Sequence, residues 1–191
     1  MLDAHKKQDD IPLTKVLIIT NISTYVATSV LSRNFLIMDY QVIALVGQAN
    51  SLVIRGWYWQ LFTSMFIHVN LVHLLGNMLF LFIYGVRGEE LFNKKEFLFI
   101  FFSSGLAGNI LSLLGGPNMV SAGASGALFG LFGACVTYAH SSLKESIFIV
   151  LIYSFYMFIL TMGANVNLFA HFGGLAAGLL IGYAISKMRP I

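Results

Sequence analysis

Charge is scarce in this chain. Only 10% of its 191 residues are Asp, Glu, Lys or Arg, against 58% apolar, and the mean hydropathy is +0.81. A soluble domain is roughly one-quarter charged. Too few charges are present to cover a water-facing surface, so the composition is that of an integral membrane protein. Cysteine is nearly absent. The single Cys135 excludes an intrachain disulfide framework, and its apolar setting reads as a small buried side chain. A basic, aromatic-laced patch is missing as well: the net charge of +3 is dispersed, and no nucleic-acid partner is expected. No internal repeat, low-complexity tract or linker interrupts the chain. The opening "MLDAHKKQDDIPLTK" is polar, and no small-residue cleavage site closely follows the first apolar stretch, which is therefore expected to stay as an anchor.

What the chain does have is long apolar runs. A helix crosses a bilayer with ~20 mostly apolar residues. Six runs read as spans: residues 16–31 (extendable to about 38), 69–86, 97–114, 125–139, 147–162 and 168–186. The first is the weakest, because Asn21, Ser23 and Thr24 interrupt it. The stretch between the first two, about 32–68, is long, and its "GWYWQLF" suits an interfacial structure with Trp57, Tyr58 and Trp59 at headgroup level. The expected fold class is an all-α bundle of six transmembrane helices with a long first extracytoplasmic loop. Residues 1–15 form a cytoplasmic tail and residues 16–191 one membrane domain. Lys and Arg set the orientation. Lys6, Lys7, Lys15, Arg87, Lys94, Lys95, Lys144, Lys187 and Arg189 fall on one side and only Arg33 and Arg55 on the other, a partition of nine against two. Both termini are therefore expected in the cytoplasm of a prokaryotic plasma membrane.

Polar side chains inside hydrocarbon are costly and mark function. His73, Asn77, Ser125 and His171 stand out. Spans two, four and six all run inward, and these four residues all fall in their outer halves. His73 and Asn77, spaced i, i+4, share a helix face. Gly126 and Gly130 in span four, and Gly174, Gly178 and Gly182 in span six, recur every four residues, which lets helix backbones approach closely. Span four is short, so its helix is expected to begin below the membrane surface, behind a water-admitting cavity lined by residues 115–124.

A serine and a histidine brought together point to acyl transfer, with Ser125 attacking and His171 moving the proton. Of the acids only Asp39 falls on the outer side, so a dyad is expected. Packing against Phe129, one turn beyond Ser125, would orient His171. Asn77, His73 and the Ser125 N–H are candidate donors to an oxyanion. "GASGA" is not GxSxG, because Ala127 replaces the last glycine. "HVNLVH" is not HExxH. A zinc site of His68, His73 and His171 is disfavoured, with no outer carboxylate to join it.

Three motifs together resemble the rhomboid intramembrane serine proteases: His68-x4-His73-x3-Asn77, Gly123-Ala124-Ser125-Gly126, and Ala170-His171-Phe172-Gly173-Gly174. Glu89, in "YGVRGEE", is similar to the family's acidic residue after span two. The resemblance implies a Ser125–His171 dyad, an oxyanion served by His73, Asn77 and the Ser125 amide, and no cofactor. It implies transmembrane-protein substrates, drawn from the lipid bilayer and cut near its outer face where their helices unwind. The fifth span and the loop before the sixth would form a lateral gate. Gln60 stands where many relatives carry arginine, and Phe129 where some carry tyrosine. His68 reads as structural. The alternative is a catalytically silent relative that binds client transmembrane segments. A transporter or channel would need intramembrane charges or broken repeated helices, and neither is visible.

Overall fold

The structure, a computed structural model, describes residues 11–143, 146, 148, 152 and 166–189. Its helices are α1 (Leu13–Ser32), α2 (Tyr40–Val46), α3 (Asn50–Ile54), α4 (Gln60–Thr63), α5 (Leu71–Leu91), α6 (Lys94–Leu111), α7 (Ser125–Leu143) and α8 (Leu168–Met188). Four of them, α1, α5, α6 with its short 3-10 extension, and α8, are long and apolar enough to cross a membrane. The expected fifth span, residues 147–162, lies almost wholly outside the described residues, as does most of the loop after it.

Asx side chains start the helices. Asn70 accepts from the His73 N–H at 2.7 Å and begins α5, and Asn93 with Glu96 forms a reciprocal capping box on α6. Pro12 precedes α1 and offers no side-chain cap. Glu89, near the end of α5, supplies one: its Oε1 accepts from the Thr14 N–H at 3.0 Å.

α7 packs against α5, α6 and α8, and among the described residues its interface with α8 is the most extensive. Its Ala127, Leu128, Leu131 and Ala134 are buried, together with Phe97, Ile100 and Phe101 of α6 and Leu81 of α5. The helix runs for 19 residues, four beyond the expected end at Ala139. His140, Ser141 and Ser142 ended the apolar run without ending the helix. That length removes the shortness from which a sunken start was argued.

The stretch between α1 and α5 is not a plain loop. A two-residue antiparallel ladder, β1 (Gln48–Ala49) with β2 (Val120–Ser121), ties it to the segment entering α7 in the register Gln48↔Ser121. An all-α reading had no place for this pair, which is too short to show alternation. Buried amides complete the tie. Gln48 donates to Asn109 O at 2.8 Å, and Asn50 donates to Ser112 O at 2.8 Å and Gly116 O at 2.9 Å. Gln60 Nε2 donates to Ala44 O and Leu45 O while its Oε1 accepts from the Ala49 N–H at 2.9 Å. Gln48, Asn50 and Gln60 are wholly buried. The residue standing in the arginine position is thus an internal staple of the loop.

Candidate active site

The α7–α8 seam is built by omission. A Cβ on Gly174 would collide with the carbonyl of Gly126, and one on Gly178 with the carbonyl of Gly130. A Cβ on Gly182 would stand 2.5 Å from Ala134 O. At Gly126 itself a Cβ would lie 3.2 Å from Ala170 O. The two backbones touch, and nothing longer than hydrogen fits between them.

This approach brings together residues 46 apart in sequence. His171 Nε2 lies 2.8 Å from Ser125 Oγ. Ser125 is the first residue of α7, and His171 sits in the first turn of α8. The Phe129 ring, one turn along α7, stacks on the imidazole with centroids 4.4 Å apart and planes 29° from parallel. Nδ1 of His171 is buried and has no hydrogen-bond partner among the described residues. An imidazole that accepts from Ser125 through Nε2 carries its proton on Nδ1. Among the described residues, the contacts that orient it are the phenyl ring and the α8 backbone.

α5 supplies the opposite wall. Asn77, which lines the cavity, donates through Nδ2 to His73 O at 2.8 Å, one of the two donors that a primary amide carries. Gly123 makes room for His73. A Cβ there would stand 2.7 Å from His73 Cε1 and 2.9 Å from Nε2, and its φ of +130° is one that only glycine adopts readily. The Gly123 N–H donates to Ser64 O at 2.9 Å, so the first loop holds the turn entering α7. Ser125, His171, His73, Asn77 and Gly123 line one cavity of about 640 Å³. At the head of α7 the Ser125 N–H has no carbonyl a turn behind it within the helix, and the positive end of the helix dipole points the same way. The arrangement can deprotonate a hydroxyl and offer donors to an oxygen that gains charge.

His68 lies outside this wall. It is fully buried, and its ring centroid is 5.1 Å from that of His73. Burial, reinforced by neighbouring His73, pushes its pKa down to about 3. Among the described residues no three His, Cys, Asp or Glu side chains are grouped to hold a metal ion.

Sequence reasoning missed Asn167 and Asn109, which also line the cavity, whereas Ser121 falls in the stretch 115–124 expected to line one. Only Asn167 carried a signal, an Asx residue immediately before an apolar run.

Residues 55–188 match the family model of the rhomboid domain. The chain is 31% identical over 172 residues to Rhomboid-like protease 3 of Toxoplasma gondii, covering 85% of this chain and 65% of that protein. It is 32% identical over 149 residues to rhomboid protease GluP of Bacillus subtilis, covering 75% of this chain and 29% of that one. With the putative rhomboid protease YdcA of the same bacterium it shares 32% identity over 137 residues, 69% of each chain. The chain thus spans less than two thirds of the length of the first two relatives. The matched domain and the apolar helices together make this chain a multi-pass membrane protein that belongs to the rhomboid family.

Proposed function

We propose that this protein is an intramembrane serine protease that cuts transmembrane-protein substrates with a Ser125–His171 dyad. The observation that carries the reading is the 2.8 Å contact between Ser125 Oγ and His171 Nε2 at the wall of a cavity. In this mechanism Oγ attacks the scissile carbonyl carbon as Nε2 takes its proton. The tetrahedral oxyanion is held by the Ser125 N–H, His73 and the second N–H of Asn77. The C–N bond then breaks, and His171 returns its proton to the departing amine. Water, activated by the same imidazole, hydrolyses the acyl-enzyme and regenerates Ser125. No cofactor takes part. Gly123 and Gly126 support the geometry, and Phe129 holds the base.

The same reading places six spans in a prokaryotic plasma membrane with both termini cytoplasmic, the membrane domain filling residues 16–191. Substrates are single-span proteins whose helices unwind near the outer face, because a peptide bond inside a regular helix is shielded by its own hydrogen bonds. GluP and Rhomboid-like protease 3 bear the name protease, which supports the reading.

The test is cleavage of a model single-span substrate by purified protein in detergent. Ser125→Ala and His171→Ala should each lower turnover by on the order of 10⁴–10⁶. Labelling by a fluorophosphonate probe should disappear in Ser125→Ala. Unimpaired turnover in either folded variant refutes the dyad, and substrate binding without cleavage by the unmodified chain would describe a silent relative instead.

A further inference from the structure

Asn167 uses three hydrogen-bonding capacities of one side-chain amide. Its Oδ1 accepts from the Ala170 N–H at 3.1 Å and so caps α8, and its main-chain oxygen accepts from the His171 N–H at 3.2 Å. Its Nδ2 donates to Ser112 Oγ at 2.6 Å and to Ser121 Oγ at 2.7 Å. A primary amide carries two N–H donors, and the two serines take both.

Those serines lie on the two elements that fix the rest of the site. Ser121 belongs to β2, four residues before Ser125, and is paired across the ladder with Gln48. Ser112 follows α6, and its hydroxyl donates to Gly108 O at 3.1 Å. Gly108 is the residue on which the main chain of Ala170 rests, leaving no space for a Cβ. One amide therefore joins the first turn of α8, which carries His171, to the segment leading into Ser125 and to the helix behind both. Capping alone asks only for an acceptor, which Asp or Ser provides as well. The two donors are surplus to a cap. Terminal turns of helices fray, and a misplacement of about 1 Å at a catalytic group can cost ~10²-fold in rate.

We propose that Asn167 is a positioning residue that holds His171 within bonding distance of Ser125 through Ser112 and Ser121. The inference rests on the serine-protease reading above. The experiment uses the full chain in detergent and a small fluorophosphonate, which reports the reactivity of Ser125 without any transmembrane segment having to bind. The inactivation rate kinact and the half-saturation KI are measured separately. Asn167→Asp keeps the acceptor for Ala170 and loses both donors. Its kinact should fall about tenfold or more, the equivalent of one or two hydrogen bonds, with KI unchanged. Ser112→Ala combined with Ser121→Ala leaves the cap untouched and should give the same loss. Adding Asn167→Asp to the serine pair should cost nothing further, because the three groups act as one unit. A pure cap predicts a wild-type rate in the serine pair, and that result overturns the proposal. Should Asn167→Asp fail to fold, the serine pair decides alone. Ser125→Ala is run alongside. Persistent labelling there sinks the protease reading, whereas labelling lost in Ser125→Ala with wild-type rates in the other variants sinks only the role of Asn167.

Discussion

The α7–α8 seam and the first loop meet at Ser125 and hold their shape by opposite means. The seam works by absence: Gly174 and Gly178 lie against the carbonyls of Gly126 and Gly130 with no side chain between. The first loop works by presence: the amides of Gln48, Asn50 and Gln60 supply the partners that its irregular backbone lacks. Contact between two backbones sets a distance with little tolerance, because an added carbon has nowhere to go. A network of amides sets a shape that can be lost one bond at a time. Changes in the seam should therefore act as steps, and changes in the loop as increments.

The step is sharpest at Gly178. Gly178→Leu must push α8 off α7, and with it His171 off Ser125. A stability loss of about 3 kcal/mol or more and a fall in fluorophosphonate labelling of at least ~10²-fold are expected from thermal unfolding and probe kinetics. A stable, reactive Gly178→Leu would mean that the seam tolerates a gap and that the contrast is false. Gly123 tests whether the seam's rule reaches into the loop. Gly123→Ala places a methyl 2.7 Å from His73 Cε1 at a φ of +130°. The backbone strain amounts to ~1–3 kcal/mol. If His73 serves the oxyanion as proposed, its displacement should lower turnover by ~10²-fold, while Ser125 and His171 keep their contact. Loss of stability without loss of turnover would remove His73 from the chemistry.

The increment shows at Gln60. Gln60→Leu leaves the Ala49 N–H and the carbonyls of Ala44 and Leu45 without their partner. A loss of about 2 kcal/mol in unfolding free energy is expected, with α7 and α8 still packed. Full loss of the fold would show that the loop carries as large a share of the stability as the seam, and would break the contrast.

The same contrast explains what could be read in advance. Glycines every fourth residue are visible in a sequence because helical periodicity converts spacing into a face. His73 and Asn77 share a face for the same reason. The loop offers no period. Gln48, Asn50 and Gln60 reach across to Asn109, Ser112 and a two-residue ladder, and nothing in their spacing announces those partners. Gln60 was legible only as a missing arginine, and Asn167 was passed over. Glu89 was legible as an acid, but not as the residue that caps α1 from a neighbouring helix. The end of α7 was misjudged because His140, Ser141 and Ser142 are polar, yet the helix continues through them to Leu143.

A last difference between the regions is their response to acid. The seam's glycine contacts carry no proton, whereas His68, at the inner edge of the loop, is fully buried with its pKa pushed down to about 3. In the unfolded chain the same imidazole binds a proton near pH 6.5. Above that value both states are neutral and the group leaves stability unchanged. As pH falls from 6.5 towards 3, the unfolded chain takes up a proton that the folded one refuses. Stability should then decline by about 1.4 kcal/mol per pH unit from this residue. Unfolding free energies measured between pH 7 and pH 4.5 should fall less steeply in His68→Phe than in the unmodified chain. Parallel curves would show that the fold accommodates the charged imidazole of His68 as readily as water does.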